Sequence, residues 1–248
     1  MARVSGVTQR TVLALLAGLA ALAPVTRSLA DTTSPATAAG FVDAEAVVAG
    51  LVVDMRYHGD ANFVGRPIAG YDEPVCLLTS SAAMALARAQ ERLQPLGLGL
   101  KAFDCYRPVA AVNDFVRWAE DLDDQIRKPF HYPDVPKSEL FQRGYIARRS
   151  GHSRGSTVDV SIVDLGTGKE LDMGTVYDWF GPQAWPTALT VPQSARGHRL
   201  LLRMVMCAAG FLPYEQEWWH FTLSAEPFPD AYFDFPVRRT GLERSQKR

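Results

Sequence analysis

The sequence predicts an α+β fold: a mainly antiparallel sheet with flanking helices. Three observations carry that expectation. Helical and strand-like segments alternate without a regular βαβ rhythm. Apolar residues make up 47% of the 248 positions against 21% charged, enough to build a sizeable core. No repeat or internal linker divides the chain, so one domain over residues 46–237 accounts for its length.

The N-terminus has the grammar of an export leader. Arg3 and Arg10 supply a positive start, Val12 to Ala23 is an unbroken run of Ala, Leu, Val and Gly, and Ser28-Leu29-Ala30 places small residues before a cleavage point. Residues 1–30 are therefore expected to be a signal peptide. The run is too short for an ordinary span of ~20 residues, so no stable membrane insertion is expected after cleavage. Cleavage removes three arginines and no acid, leaving 23 basic against 27 acidic side chains. That balance gives no reason to expect a nucleic-acid partner. The expected product is an exported protein, periplasmic or secreted. Its oligomeric state is not readable from the sequence.

Residues 31–45 open with small polar side chains and read as a flexible lead-in. Ala46 to Met55 is strand-like, and His58 to Val75 is loop, being rich in Gly, Pro and Asp. Ser80 to Leu93 has Ala and Leu at helical spacing, Thr79 or Ser80 as N-cap, and Pro95 and Gly97 as its stop. Leu98 to Tyr106 reads as a strand, Val109 to Ile126 as an amphipathic helix, and Pro129 to Leu140 as irregular. Val158 to Val163 is a buried strand, Leu165 to Trp185 a loop, Arg199 to Ala209 a helix stopped by Gly210, and Glu217 to Leu223 an aromatic strand. Residues 238–248 form a basic tail. Cys76, Cys105 and Cys207 allow one disulfide or three buried thiols, and nothing in their spacing decides between them.

Two segments concentrate chemistry. Ser150-Gly151-His152-Ser153-Arg154-Gly155-Ser156-Thr157-Val158-Asp159 and Glu217-Trp218-Trp219-His220 together hold two imidazoles and two carboxylates. A catalytic zinc site uses three His, Asp or Glu ligands and keeps one position open. It also uses a carboxylate outside the ligand set as base. Their division among the four is not unique from the sequence. His152, Asp159 and His220 are taken as ligands of one zinc per chain, with Glu217 as base. Imidazole and carboxylate also suit zinc's neighbours in the first transition row. Arg107, at a strand end before a helix, is placed to face a developing oxyanion or to pair with Asp104. His58, His131 and His198 lack partners at ligand spacing and read as structural.

SGHSRGSTVDV, EWWHF and DCYRP resemble the zinc D-alanyl-D-alanine dipeptidases associated with vancomycin resistance, within the wider D-Ala-D-Ala peptidase/Hedgehog metal fold. Tyr57 with Asn62-Phe63-Val64-Gly65, and Met173-Gly174-Thr175 with Asp178, extend the likeness from about residue 45 to about residue 225. The resemblance implies hydrolysis of D-alanyl-D-alanine or a similar small D,D-dipeptide. His152, Asp159 and His220 would hold zinc, Glu217 would be the base, and Arg107 would stabilise the tetrahedral intermediate. Tyr57, Asp104, Ser150 and Asp178 would line the substrate pocket, with Asp178 pairing with the dipeptide's ammonium. The export leader departs from the cytoplasmic members and makes wall turnover or nutrient recovery as natural a role as resistance. Two other readings share the metal site: a carboxypeptidase or endopeptidase acting on peptidoglycan stems, and a non-catalytic zinc or wall-binding module.

Overall fold

The computed structural model describes Ala36 and residues 39–239. The expected signal peptide and most of the basic tail lie outside these residues. Two sheets form. A two-stranded antiparallel one pairs β1 (Phe41–Asp43) with β3 (Leu77–Thr79). A five-stranded one has the order β2 (Val52–Val53), β4 (Leu98–Asp104), β5 (Thr157–Asp164), β7 (Glu217–Leu223), β6 (Phe211–Tyr214). β2 runs parallel to β4 and the other three pairings are antiparallel, so the large sheet is mixed and the expectation of a mainly antiparallel sheet holds only in part.

The helices follow from local signals. In α1 (Ser80–Leu93) the Thr79 hydroxyl accepts a hydrogen bond from the Ala82 amide, capping the helix where its first amides lack partners. Its buried side is Ala82, Ala83, Ala85, Leu86, Ala89 and Leu93, and the small alanines let it lie close to the sheet. α2 (Val109–Glu120) stops six residues short of the expected end. Beyond it the carbonyls of Asp121 and Asp124 accept from the Lys137 ammonium rather than from helix amides, and Leu122 and Ile126 face solvent. A one-turn α3 (Lys128–His131) interrupts the segment expected to be irregular. α4 (Gln193–Ala208) starts six residues before Arg199, behind Pro192, because its first turns are mostly polar and carry little apolar period. No helix among the described residues is long and apolar enough to cross a membrane.

Two more expectations are corrected here. The lead-in 31–45 is not wholly flexible: it contains β1 and enters a 3-10 turn at Ala44–Ala46. The strand-like stretch 46–55 supplies only β2, since Ala44 and Val48 are buried by that turn instead. β1, β3 and β6 were not visible in the apolar pattern.

Cys76 and Cys105 form a disulfide, while Cys207 is a free, exposed thiol. The bridge spans 29 residues of sequence, which corresponds to roughly 3–4 kcal/mol of lost freedom in the unfolded chain. The Cys76→Ala/Cys105→Ala double variant should lose about that much unfolding free energy in a urea titration. A change below about 1 kcal/mol would mean the bridge adds nothing to this fold.

Candidate active site

The sheet brings distant acids and imidazoles onto one rung. Asp104 on β4 lies opposite Asp159 on β5, and Asp159 lies opposite His220 on β7, so three site residues sit side by side on adjacent strands. Directly opposed residues share a face. His152 comes from the 3-10 turn Gly151–Arg154 just before β5. Gly155 ends that turn at φ +77°, and a Cβ there would lie 2.2 Å from the Phe41 ring. Only glycine satisfies both the left-handed backbone and the contact. Ser150 opens the turn, its hydroxyl accepting from the His152 amide at 3.3 Å.

His152 Nε2, His220 Nδ1 and Asp159 Oδ1 converge. Oδ1 lies 3.3 Å from His152 and 3.1 Å from His220, and the two nitrogens are 3.3 Å apart. The other nitrogen of His152, Nδ1, donates to the Cys105 carbonyl at 2.8 Å, which leaves Nε2 with a free lone pair turned to the cluster. Asp159 Oδ1 is buried and makes no hydrogen bond. A carboxylate oxygen orphaned between two imidazoles is a costly arrangement unless a cation completes it. These residues fit a divalent metal ion. Burial alone would raise the Asp159 pKa, but His152 and then His220 outweigh it and hold the carboxyl well below its usual range.

The cluster opens into a cavity of about 220 Å³. Tyr57, Arg107, Ser150, Asp178 and Glu217 all line it beside the three converging residues. Asp104 does not: it is fully buried behind Arg107. Its Oδ2 accepts from Arg107 Nε at 2.9 Å and pairs with Nη2 at 2.8 Å, while Oδ1 accepts from Tyr71 at 2.6 Å. Asp104 therefore aims the guanidinium rather than walling the pocket. Arg107 reaches to 3.8 Å from Asp159 Oδ2 and its Nη1 to 3.5 Å from Ser150 Oγ. Glu217 stands 3.5 Å from His220, and burial pushes its carboxyl up to about 7.

A chain of oxygen contacts runs from Asp159 across the floor. Tyr177 donates to Asp159 Oδ2 at 2.9 Å, its oxygen is 3.0 Å from that of Tyr57, and Tyr57 is 2.9 Å from Asp178 Oδ2. Asp178 is held at φ +59°, a left-handed conformation that asparagine and aspartate tolerate better than most residues. Its carbonyl accepts from His131 Nδ1 at 3.1 Å, and burial lowers the His131 pKa to about 4, keeping the ring neutral. The segments on both sides of it are pinned by the buried Arg199, which donates to the carbonyls of Met173, Gln183 and Trp185. Tyr177 and Arg199 were not singled out from the sequence, and His131 was read only as structural. Tyr177 had a signal, standing between Thr175 and Asp178 in the motif; the other two act only through the folded loop.

Two imidazoles and a carboxylate around one point, with a second carboxylate and a guanidinium in the same cavity, define a metal-dependent hydrolase. Comparison with known proteins agrees. The model of the D-ala-D-ala dipeptidase family matches residues 37–238, and this chain belongs to that family of metallopeptidases. It is 44% identical over 197 residues to the D-alanyl-D-alanine dipeptidase of Streptomyces coelicolor, covering 79% of this chain and 98% of the relative. The proteins of the same description from Enterococcus faecalis and Enterococcus faecium are 38% and 36% identical, with 80% of this chain and 98% of each relative covered.

Proposed function

We propose that this chain is an exported zinc dipeptidase that hydrolyses D-alanyl-D-alanine and similar small D,D-dipeptides, with one zinc per chain on His152, Asp159 and His220. The observation that carries this reading is the spacing of the three ligand atoms, at 3.1, 3.3 and 3.3 Å. Tetrahedral zinc with bonds of ~2.0–2.1 Å sets its ligand atoms roughly 3.3 Å apart. Zinc at this point supplies Lewis-acid polarisation of a carbonyl and acidification of water.

The protein's own side chains do the rest. Glu217, outside the ligand triangle but in the same cavity, accepts the proton of the attacking water and returns it to the leaving amine. Arg107, locked by Asp104, presents a fixed cation to the carbonyl oxygen as it becomes an oxyanion. Tyr57 and Asp178 receive the substrate ammonium, and Ser150 lines the same cavity beside Arg107. An acid that reads a free ammonium favours a dipeptide over a longer chain, whose nitrogen at that place is an uncharged amide. The leader-like residues 1–30 lie outside the family match, which supports export followed by removal of that segment.

The test uses protein from residue 31 onward with D-Ala-D-Ala, N-acetyl-D-Ala-D-Ala and L-Ala-L-Ala, before and after a chelator, with metal analysis. Chelator-sensitive cleavage of the free D,D-dipeptide alone, restored by zinc, is the expected result. Cleavage of the capped substrate would move the chain to a carboxypeptidase on wall stem peptides. Bound zinc without turnover would make it a binding module.

A further inference from the structure

The cavity has an acidic end at Asp178, and its opposite chemistry lies around Arg149. We propose that Arg149 is the residue that binds the substrate's C-terminal carboxylate and so restricts the enzyme to dipeptides with a free acid. This assignment rests on the dipeptidase reading above.

Three observations carry it. Arg107 and Arg149 are the arginines lining the catalytic cavity, and Arg107, locked to Asp104 at 2.8 Å, is already assigned to the carbonyl oxygen. Arg149 makes no ion pair or hydrogen bond among the described residues. Arg149 is solvent-exposed at the cavity rim, and its guanidinium lies 4.8 Å over the ring of Tyr232, a contact that orients the cation without neutralising it. A guanidinium kept charged and unpaired beside a cavity is built for an anion, and its planar fork matches a carboxylate.

The position is also right. A side pocket of about 180 Å³ adjoins the catalytic cavity and shares Val112, Arg149 and Ser150 with it, but none of Tyr57, Asp178 or Phe180. Arg149 therefore belongs to the Ser150 end of the cavity, not to the end that holds the acid. Ser153 lines the same side pocket, and its hydroxyl is fully buried with no partner among the described residues. A cation and an unspent donor at this end complement Asp178 at the other, and a zwitterionic dipeptide spans the two.

The sequence hid this because Arg149 is one of two adjacent arginines before the SGHSRG turn. Both are exposed and both line the side pocket, but Arg148 is engaged with Glu120 at 2.9 Å, whereas Arg149 also lines the catalytic cavity.

The experiment compares D-Ala-D-Ala with its C-terminal amide on zinc-loaded wild-type enzyme, Arg149→Met and Arg149→Lys. Wild type should prefer the free acid. Arg149→Met should raise KM for the acid by roughly tenfold to a hundredfold, the loss of one charge-assisted contact, with kcat and the amide reaction held within about threefold. Arg149→Lys should recover part of the preference. An equal loss on both substrates, or no loss on either, overturns the assignment. The same pair of ligands titrated calorimetrically into the Glu217→Gln variant, with and without Arg149→Met, reads binding apart from turnover. Wild type that cleaves neither dipeptide would sink the dipeptidase reading itself, while equal affinity for acid and amide in the titration would sink only the role of Arg149.

Discussion

Replacing Glu217 by Gln should lower kcat by roughly 10²–10⁴ while zinc content stays near one per chain and KM moves little. The amide keeps the size and polarity of the side chain at the start of β7 but cannot take a proton. Glu217 lies 3.5 Å from His220 yet outside the triangle of converging atoms, so its loss leaves the ligand set whole. Burial places its carboxyl at about 7, well matched to shuttling a proton near neutrality. A base must be ionised to act. The rate should therefore fall as pH drops through that value, and a nearby divalent cation can only move the midpoint lower. Stopped assays from pH 5 to 9 check both statements. Turnover within about tenfold of wild type, or an acid limb centred well above 7, would remove Glu217 from this role.

Much of this site was legible because its chemistry is packed into short segments. The pair of ligands in the SGHSRG turn and the strand after it, and the EWWH strand, each keep their residues within a few positions of one another. Local geometry brings them near one another, and remote groups such as the Cys105 carbonyl then fix their orientation. What could not be read depends on residues that meet only after folding. The His131 imidazole works by holding the carbonyl of Asp178, a contact 47 residues away. Asp104 shares the DCYRP motif with Arg107, so the sequence put both in the pocket. Only the β4 register shows that it stands behind the guanidinium. The disulfide has the same character, since Cys76 precedes a three-residue strand in the small sheet that no apolar period announces. Strand 46–55 failed for a simpler reason. Apolar content tells that a segment is buried, not whether a strand or a tight turn buries it.

Asp178→Asn should cost roughly 10²–10³ in kcat/KM for free D-Ala-D-Ala, chiefly through a raised KM, and make the protein more stable. The reason begins with the surroundings of its carboxylate. Tyr57 donates to Asp178 Oδ2 at 2.9 Å, and Tyr177, 3.0 Å from the Tyr57 oxygen, donates to Asp159 Oδ2 at 2.9 Å. Asp159 is held ionised by its imidazoles, whereas burial, followed by the charge of Asp159, holds the Asp178 pKa well above the usual carboxylate range. A bare charge on Asp178 is therefore disfavoured, and an arriving ammonium completes a buried charge pair, whose loss in the Asn variant accounts for the size of the effect.

The stability sign follows from the same shift. A carboxyl whose folded pKa lies above its unfolded value near 3.9 takes up a proton on folding. Stability then declines as pH rises from about 4 toward the folded pKa, and asparagine escapes that decline. The gain in melting temperature of the Asn variant should widen as pH rises above about 4, measured by thermal unfolding of the zinc-loaded proteins. A residue that merely holds the loop would behave in the opposite way, losing stability together with activity. A variant that melts lower at every pH and loses kcat with no change in KM for free D-Ala-D-Ala would show that Asp178 braces the fold rather than reading the ammonium.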